Sequence, residues 1–95
     1  MNVNVKIDVE VKIDVNTEIN DDVEITIYYL NNIKHRLQSE GPAEIHRCVK
    51  TGIILKEYYI VNDTLQSYMV DENNQPAYLE YYPNGNIKIK IYYYI

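Results

Sequence analysis

The residues with the widest chemical range in this 95-residue chain are one cysteine and two histidines. His46 and Cys48 stand two residues apart and so share a face if the segment is a strand. An imidazole beside a thiol is the beginning of either a zinc site or a nucleophile–base pair. Tetrahedral zinc takes three or four protein ligands, and His35, eleven residues away across a loop, is the remaining candidate. A nucleophilic pair needs a third group to orient the base, and the spacing identifies none. Asp21-Asp22, Glu40 and Asp71-Glu72 lack the spacing and central glycine of a calcium loop, and read as solvated turn residues. Three glycines spread over the chain build no phosphate loop. No catalytic, cofactor-binding or metal-binding residue is therefore assigned. An enzyme using His46 and Cys48 stands as the alternative to a binding role.

Tyrosine is the second source of chemistry. There are eleven, with no Phe and no Trp, so tyrosine must supply all the aromatic bulk. A tyrosine ring buries well but its hydroxyl needs a partner or water, which suits half-exposed positions on a sheet. The pair recurs at Tyr28-Tyr29, Tyr58-Tyr59 and Tyr92-Tyr93-Tyr94. Tyr58, Tyr78, Tyr82 and Tyr92 together with Lys88 and Lys90 form the candidate partner-binding set. Aromatic and basic residues on a sheet stack nucleobases in RNA-binding modules and serve as hot spots in protein interfaces. The net charge of −5 and scattered lysines argue against nucleic acid, whose phosphates demand clustered cations. A protein partner is the expectation.

The elements that must position these residues are strands. From Val3 to Val15 every odd position is Val or Ile and every even one is polar, a period-2 pattern with one wet face. At about 3.3 Å per residue such a strand is long enough to need a bulge or break. Asn20-Asp21-Asp22 signals a turn, after which Val23, Ile25, Ile27 and Tyr29 continue the odd apolar row. Asn31-Asn32 breaks that strand. Residues 35–40 suit a short helical turn stopped by Gly41-Pro42. Pro83-Asn84-Gly85 suits a three-residue hairpin loop, with Gly in the left-handed position. That loop predicts Tyr81 opposite Ile87, Glu80 opposite Lys88, Leu79 opposite Ile89 and Tyr78 opposite Lys90. It sorts Ala77, Leu79, Tyr81, Ile87, Ile89, Ile91 and Tyr93 onto one face, and Tyr78, Glu80, Tyr82, Lys88, Lys90 and Tyr92 onto the other. Lys50-Thr51-Gly52 serves as the matching turn of an earlier hairpin. Residues 64–70 read as a strand and 71–74 as a loop.

A fixed offset of 34 residues relates the two hairpins. Pro42-Ala43 falls on Pro76-Ala77, Ile53 on Ile87, Lys56 on Lys90 and Tyr58-Tyr59 on Tyr92-Tyr93. A period in this range marks stacked supersecondary units sharing one core. On this alignment Tyr29, Tyr59 and Tyr93 pack inward while Tyr28, Tyr58 and Tyr92 face outward.

The segment Tyr81-Tyr82-Pro83-Asn84-Gly85-Asn86-Ile87-Lys88 resembles the MORN-variant repeat, whose units carry a Tyr-Tyr, Asn-Gly and aliphatic-Lys core. His35-Arg36, Gly41-Pro42-Ala43 and Tyr58-Tyr59-Ile60 with Asn62 follow the order of joining segments in such arrays. The similarity spans about residues 27–95; Arg47–Gly52 lacks the Tyr-Tyr and Asn-Gly of a full unit, and residues 1–26 match none of it. Such repeats occur in large DNA viruses and bacterial antitoxin-like proteins. The resemblance implies antiparallel hairpins laid side by side, and association with protein or lipid rather than catalysis.

The expectation is thus an all-β chain of six to eight short strands in an elongated or curled sheet, forming one domain over 1–95. Residues 1–30 supply the alternating strands and 31–95 two to three degenerate repeat units. A sheet with one apolar face also predicts self-association through a face or edge. With one cysteine, no signal segment and no apolar run of membrane-spanning length, the expected location is the cytoplasm, or the host cytoplasm for a viral protein. No cofactor is expected. A degenerate array without selected activity is the third reading.

Overall fold

The computed structural model describes residues 12–70 and 73–93. The alternating run at 3–11, with any break inside it, lies outside the described residues. The described residues form eleven strands and no helix: β1 Ile13–Asn20, β2 Val23–Leu30, β3 Ile33–Lys34, β4 Glu44–Cys48, β5 Ile54–Tyr58, β6 Ile60–Val61, β7 Thr64–Leu65, β8 Tyr68–Val70, β9 Asn73–Gln75, β10 Tyr78–Tyr81 and β11 Ile87–Ile91. The principal sheet runs β1-β2-β4-β5-β10-β11, all antiparallel, with β3 beside β2; it is open rather than closed into a barrel. Between its hairpins the chain makes small excursions, among them the β6–β7 and β8–β9 pairs. The stretch read as one strand at 64–70 is divided between β7 and β8, and Asn73-Asn74, expected in a loop, belong to β9. Residues 35–40 hold one reverse turn, closed by Glu40 N–H to Leu37 carbonyl at 2.9 Å, in place of a helical segment.

Three tight turns share one chemistry. Asp21-Asp22, Asn31-Asn32 and Asn62-Asp63 all have positive φ, between 50° and 66°. Two consecutive left-handed residues make the type I′ turn, whose twist matches that of the flanking strands, and Asn and Asp tolerate it best after Gly. At Asp21-Asp22 the two-residue turn opposes Asn20 to Val23, so odd residues of β1 stand against even residues of β2. The expected continuous odd row is thereby split. Ile13, Val15 and Ile19 lie on one side of the sheet, and Val23, Ile25, Ile27 and Tyr29 on the other.

The 34-residue offset holds only up to the hairpin loops. The Pro83-Asn84-Gly85 loop forms as predicted, with Tyr82 N–H bonding Asn86 carbonyl and Gly85 N–H bonding Tyr82 carbonyl, both at 2.8 Å. The earlier loop is closed by Cys48 N–H to Ile53 carbonyl at 2.8 Å and spans 49–52, one residue longer than the expected Lys50-Thr51-Gly52. After the loops, equivalent positions are therefore 33 apart. Each returning strand carries a bulge at equivalent places: Leu55, between the pairs His46–Lys56 and Arg47–Ile54, and Lys88, between Glu80–Ile89 and Tyr81–Ile87. The bulge at Lys88 shifts the predicted register, so that Leu79 faces Lys90 and Tyr78 faces Ile91.

Hydrogen bonds at the strand exits show the true equivalence. Tyr28 N–H bonds Ala43 carbonyl and Tyr59 N–H bonds Ala77 carbonyl; His35 N–H returns to Tyr28 carbonyl and Gln66 N–H to Tyr59 carbonyl. Arg36 N–H reaches Ile60 carbonyl as Ser67 N–H reaches Tyr93 carbonyl. Tyr28, Tyr59 and Tyr92 thus correspond, in place of the expected set Tyr29, Tyr59 and Tyr93. Tyr59 is buried between the fully covered Ala43 and Ala77, whereas Tyr93 is exposed. Pro42 and Pro76, both buried, precede the two alanines.

Candidate functional site

Register assigns each side chain to a face. One face of the sheet carries Ile25, Ile27, Glu44, His46, Lys56, Tyr58, Tyr78 and Glu80; the other carries Thr26, Tyr28, Ile45, Glu57, Leu79 and Tyr81. Within the six strands of the main path only Leu79 is buried, on the second face. There Arg36 lies 3.9 Å over the Tyr28 ring and bonds Pro42 carbonyl, and the Tyr81 hydroxyl donates to Glu57. Glu57 thus has a partner for its carboxylate among apolar neighbours. Burial, then this hydrogen bond, pushes the Tyr81 hydroxyl well above its ordinary pKa.

The first face holds a connected polar and aromatic row. Lys34 Nζ lies 2.9 Å from Glu44 Oε1, and His46 Nε2 lies 2.6 Å from Glu44 Oε2. The His46 ring is 5.4 Å from Tyr58, centroid to centroid, and Tyr58 is 4.9 Å from Tyr78 in a tilted arrangement. The Tyr78 hydroxyl donates to Glu80 Oε1 at 2.7 Å, and Lys88 Nζ approaches Glu80 Oε2 at 3.2 Å. Burial alone would raise the Glu44 carboxyl; the hydrogen bonds from His46 and Lys34 outweigh it and hold it below the ordinary value of 4.5. Glu80 is lowered by the hydrogen bonds from Tyr78 and Lys88. Burial and the bond to Glu80 push the Tyr78 hydroxyl strongly upward. Both carboxylates are thereby ionised and the tyrosine neutral at neutral pH. The row presents two anions flanking a pair of tilted, adjoining rings, with a cation at either end.

The six partner-binding candidates do not share one face. Tyr58 and Tyr78 adjoin on the first face, and Lys88 reaches it through its ion pair with Glu80, its Nζ 5.8 Å from the Tyr82 ring centroid. Tyr82 is half exposed beside the loop. Lys90 stands opposite Leu79 on the second face, and Tyr92, the counterpart of Tyr59, follows it there; the Lys88 bulge is the reason. Glu44 and Lys34 were missed by spacing; Glu80 was expected opposite Lys88, and their ion pair forms although the register sets Glu80 against Ile89. The available signal was Glu44-x-His46, an i, i+2 pair on the same strand face.

His46 and Cys48 do share that face, opposite Ile25 and Val23. Cys48 ends β4 beside the turn: hydrogen bonds from the Thr51 hydroxyl and the Thr51 and Lys50 backbone hold its thiol below the ordinary 9.0. His46 is oriented by Glu44. Among the described residues no three His, Cys, Asp or Glu side chains converge as a metal-binding group. A separate cavity of about 270 Å³ lies where the 35–40 turn folds back on the end of β2, lined by Ile13, Tyr28, Leu30, His35, Arg36 and Leu37 among others. Glu40 also lines it, and it is apart from the Tyr58–Tyr78 row.

No protein-family model, curated protein or solved structure matches the chain. No helix among the described residues is long and apolar enough to cross a membrane.

Proposed function

We propose that the protein is a non-enzymatic, cytoplasmic β-repeat module of MORN-variant type that binds a protein partner through the first face of its sheet. The observation that carries this is the Tyr58–Tyr78 pair, set between the Glu44 and Glu80 carboxylates on a face where no strand residue is buried. Tyrosines held by neighbours lose little side-chain entropy on binding and offer both apolar area and hydroxyls. The acidic flanks favour a partner with basic residues at its contact rim. Lys34 and Lys88 neutralise part of that charge and add specificity.

The test is affinity capture from the native cell with three baits of equal folded content by circular dichroism. Tyr82→Ala combined with Glu80→Lys removes a ring and reverses one acidic flank on the first face. It is expected to weaken a partner held by the wild type by about tenfold to a hundredfold. Lys90→Glu alters the second face and is expected to retain it. Equal retention by all three, or loss only with Lys90→Glu, refutes the assignment.

A further inference from the structure

The two outer strands of the main sheet differ in how they treat their free edges. β11 is five residues long, interrupted by the bulge at Lys88, and carries Lys88 and Lys90. Bulges and lysines are the ordinary devices that stop an edge from pairing with another chain. β1 has neither. Its ladder with β2 runs unbroken through eight pairs, from Ile13–Leu30 to Asn20–Val23, with no proline, bulge or lysine.

The tight turn fixes which backbone groups of β1 point outward. In a two-residue hairpin the residues flanking the turn exchange both hydrogen bonds, here Asn20 and Val23, and alternate pairs follow. Even residues therefore point their N–H and C=O groups towards β2. Lys12 continues the series, its N–H bonding Asn31 Oδ1 at 3.0 Å and its carbonyl accepting from Asn31 N–H at 2.8 Å. Ile13, Val15, Thr17 and Ile19 direct theirs away from the sheet, where no described residue meets them. The same positions bear exposed apolar side chains, Ile13 at 71%, Val15 at 50% and Ile19 at 65%.

We infer that β1 is a homodimerisation edge: a second copy of this chain adds its own β1 antiparallel, about a two-fold axis through Val15. Val15 then opposes Val15 of the second copy, and Ile13 opposes Thr17, joining the two apolar rows on the second face. On the first face Lys12 opposes Glu18 twice, and Asp14 opposes Asn16 twice. No like charges meet. A register two residues away in either direction places Asp14 against Asp14 or against Glu18, which like-charge repulsion disfavours. A register shifted by one residue turns inward-pointing groups to the interface and forms no ladder. Among these neighbouring registers, only the one through Val15 satisfies both the backbone and the charges. The dimer continues the sheet edge to edge and leaves Tyr58 and Tyr78 free, so it stands independently of partner binding at those residues.

Sedimentation velocity on the full chain tests this, with circular dichroism as the control for folding. The wild type is expected to dimerise with a dissociation constant on the order of micromolar, as a small two-strand interface allows. Val15→Lys sets two ammonium groups on the axis and should leave a folded monomer. Lys12→Glu alone, or Glu18→Lys alone, turns two attractive pairs into repulsive ones and should weaken the dimer about tenfold. The double exchange, Lys12→Glu with Glu18→Lys, should restore it. A wild type that stays monomeric up to on the order of 100 µM overturns the inference. So does a dimer that survives Val15→Lys, or single charge variants that the double exchange fails to rescue.

Discussion

Glu44 is the group whose removal should be felt most on the first face. It accepts from His46 at 2.6 Å and from Lys34 at 2.9 Å, with only 13% of its side chain exposed. Glu44→Gln keeps the shape and removes the charge. Hydrogen bonds to an ionised partner contribute about 1.5–3 kcal/mol each in covered sites. Solvent around Lys34 reduces its share to that of a partly exposed ion pair, under about 1 kcal/mol. The expected loss at pH 7 is therefore about 1–2 kcal/mol, or roughly 4–16 °C in melting temperature for a domain of this size. The sign with pH follows from the direction of the shift. Folded Glu44 titrates below 4.5, so its contribution is present above that value and is lost as pH falls through the folded pKa. Urea unfolding of wild type and variant at pH 7 and at about pH 3 is the assay. The stability gap should be open at the higher pH and narrower at the lower. A variant as stable as the wild type at pH 7, or a gap unchanged in acid, would refute the electrostatic account of this cluster.

Two further outcomes are expected. Tyr81→Phe strands the half-buried Glu57 carboxylate without its donor and should cost about 1–3 kcal/mol, read by urea unfolding at pH 7; Glu57→Gln in the Tyr81→Phe background should recover part of that loss if the two act as a pair. Thr51→Ala removes the hydroxyl that favours the Cys48 thiolate, so alkylation of Cys48 by iodoacetamide should slow and its rate-against-pH midpoint should rise. An unchanged midpoint would place the acidifying influence elsewhere.

Turn chemistry and period-2 alternation made the all-β fold readable from sequence, and Pro83-Asn84-Gly85 even specified its loop correctly. The faces were harder to read, for a reason of parity. A single residue added to a loop or a bulge exchanges inside for outside along the rest of a strand. Asn20-Asp21-Asp22 fits a two- or a three-residue turn equally well by composition, yet the two choices put Val23, Ile25 and Ile27 on opposite sides. Lys88 carries no mark distinguishing a bulged residue from a paired one, and that ambiguity misplaced Lys90 and Tyr92. Tyr58 and Tyr78 escaped the problem because β5 and β10 pair without a register shift, so neither bulge alters their relative side. Glu44 and Lys34 meet across ten residues through β2 and β3, a juxtaposition that exists only once the Asn31-Asn32 turn has closed.

The strand order β1-β2-β4-β5-β10-β11 follows chain order without a crossover, and this has a mechanical consequence. Every strand is held chiefly by the strand before it and the strand after it. Tension applied between the two outer strands therefore peels rather than shears. The ladder rungs of β1 or β11 open one at a time, each carrying the whole load alone, while the interior hairpins keep their bonds until they become the new margin. A sheet with crossovers would share such a load among several strands at once. This one yields progressively from its margins, and its resistance to extension is set by the weakest outer hairpin rather than by the size of the sheet.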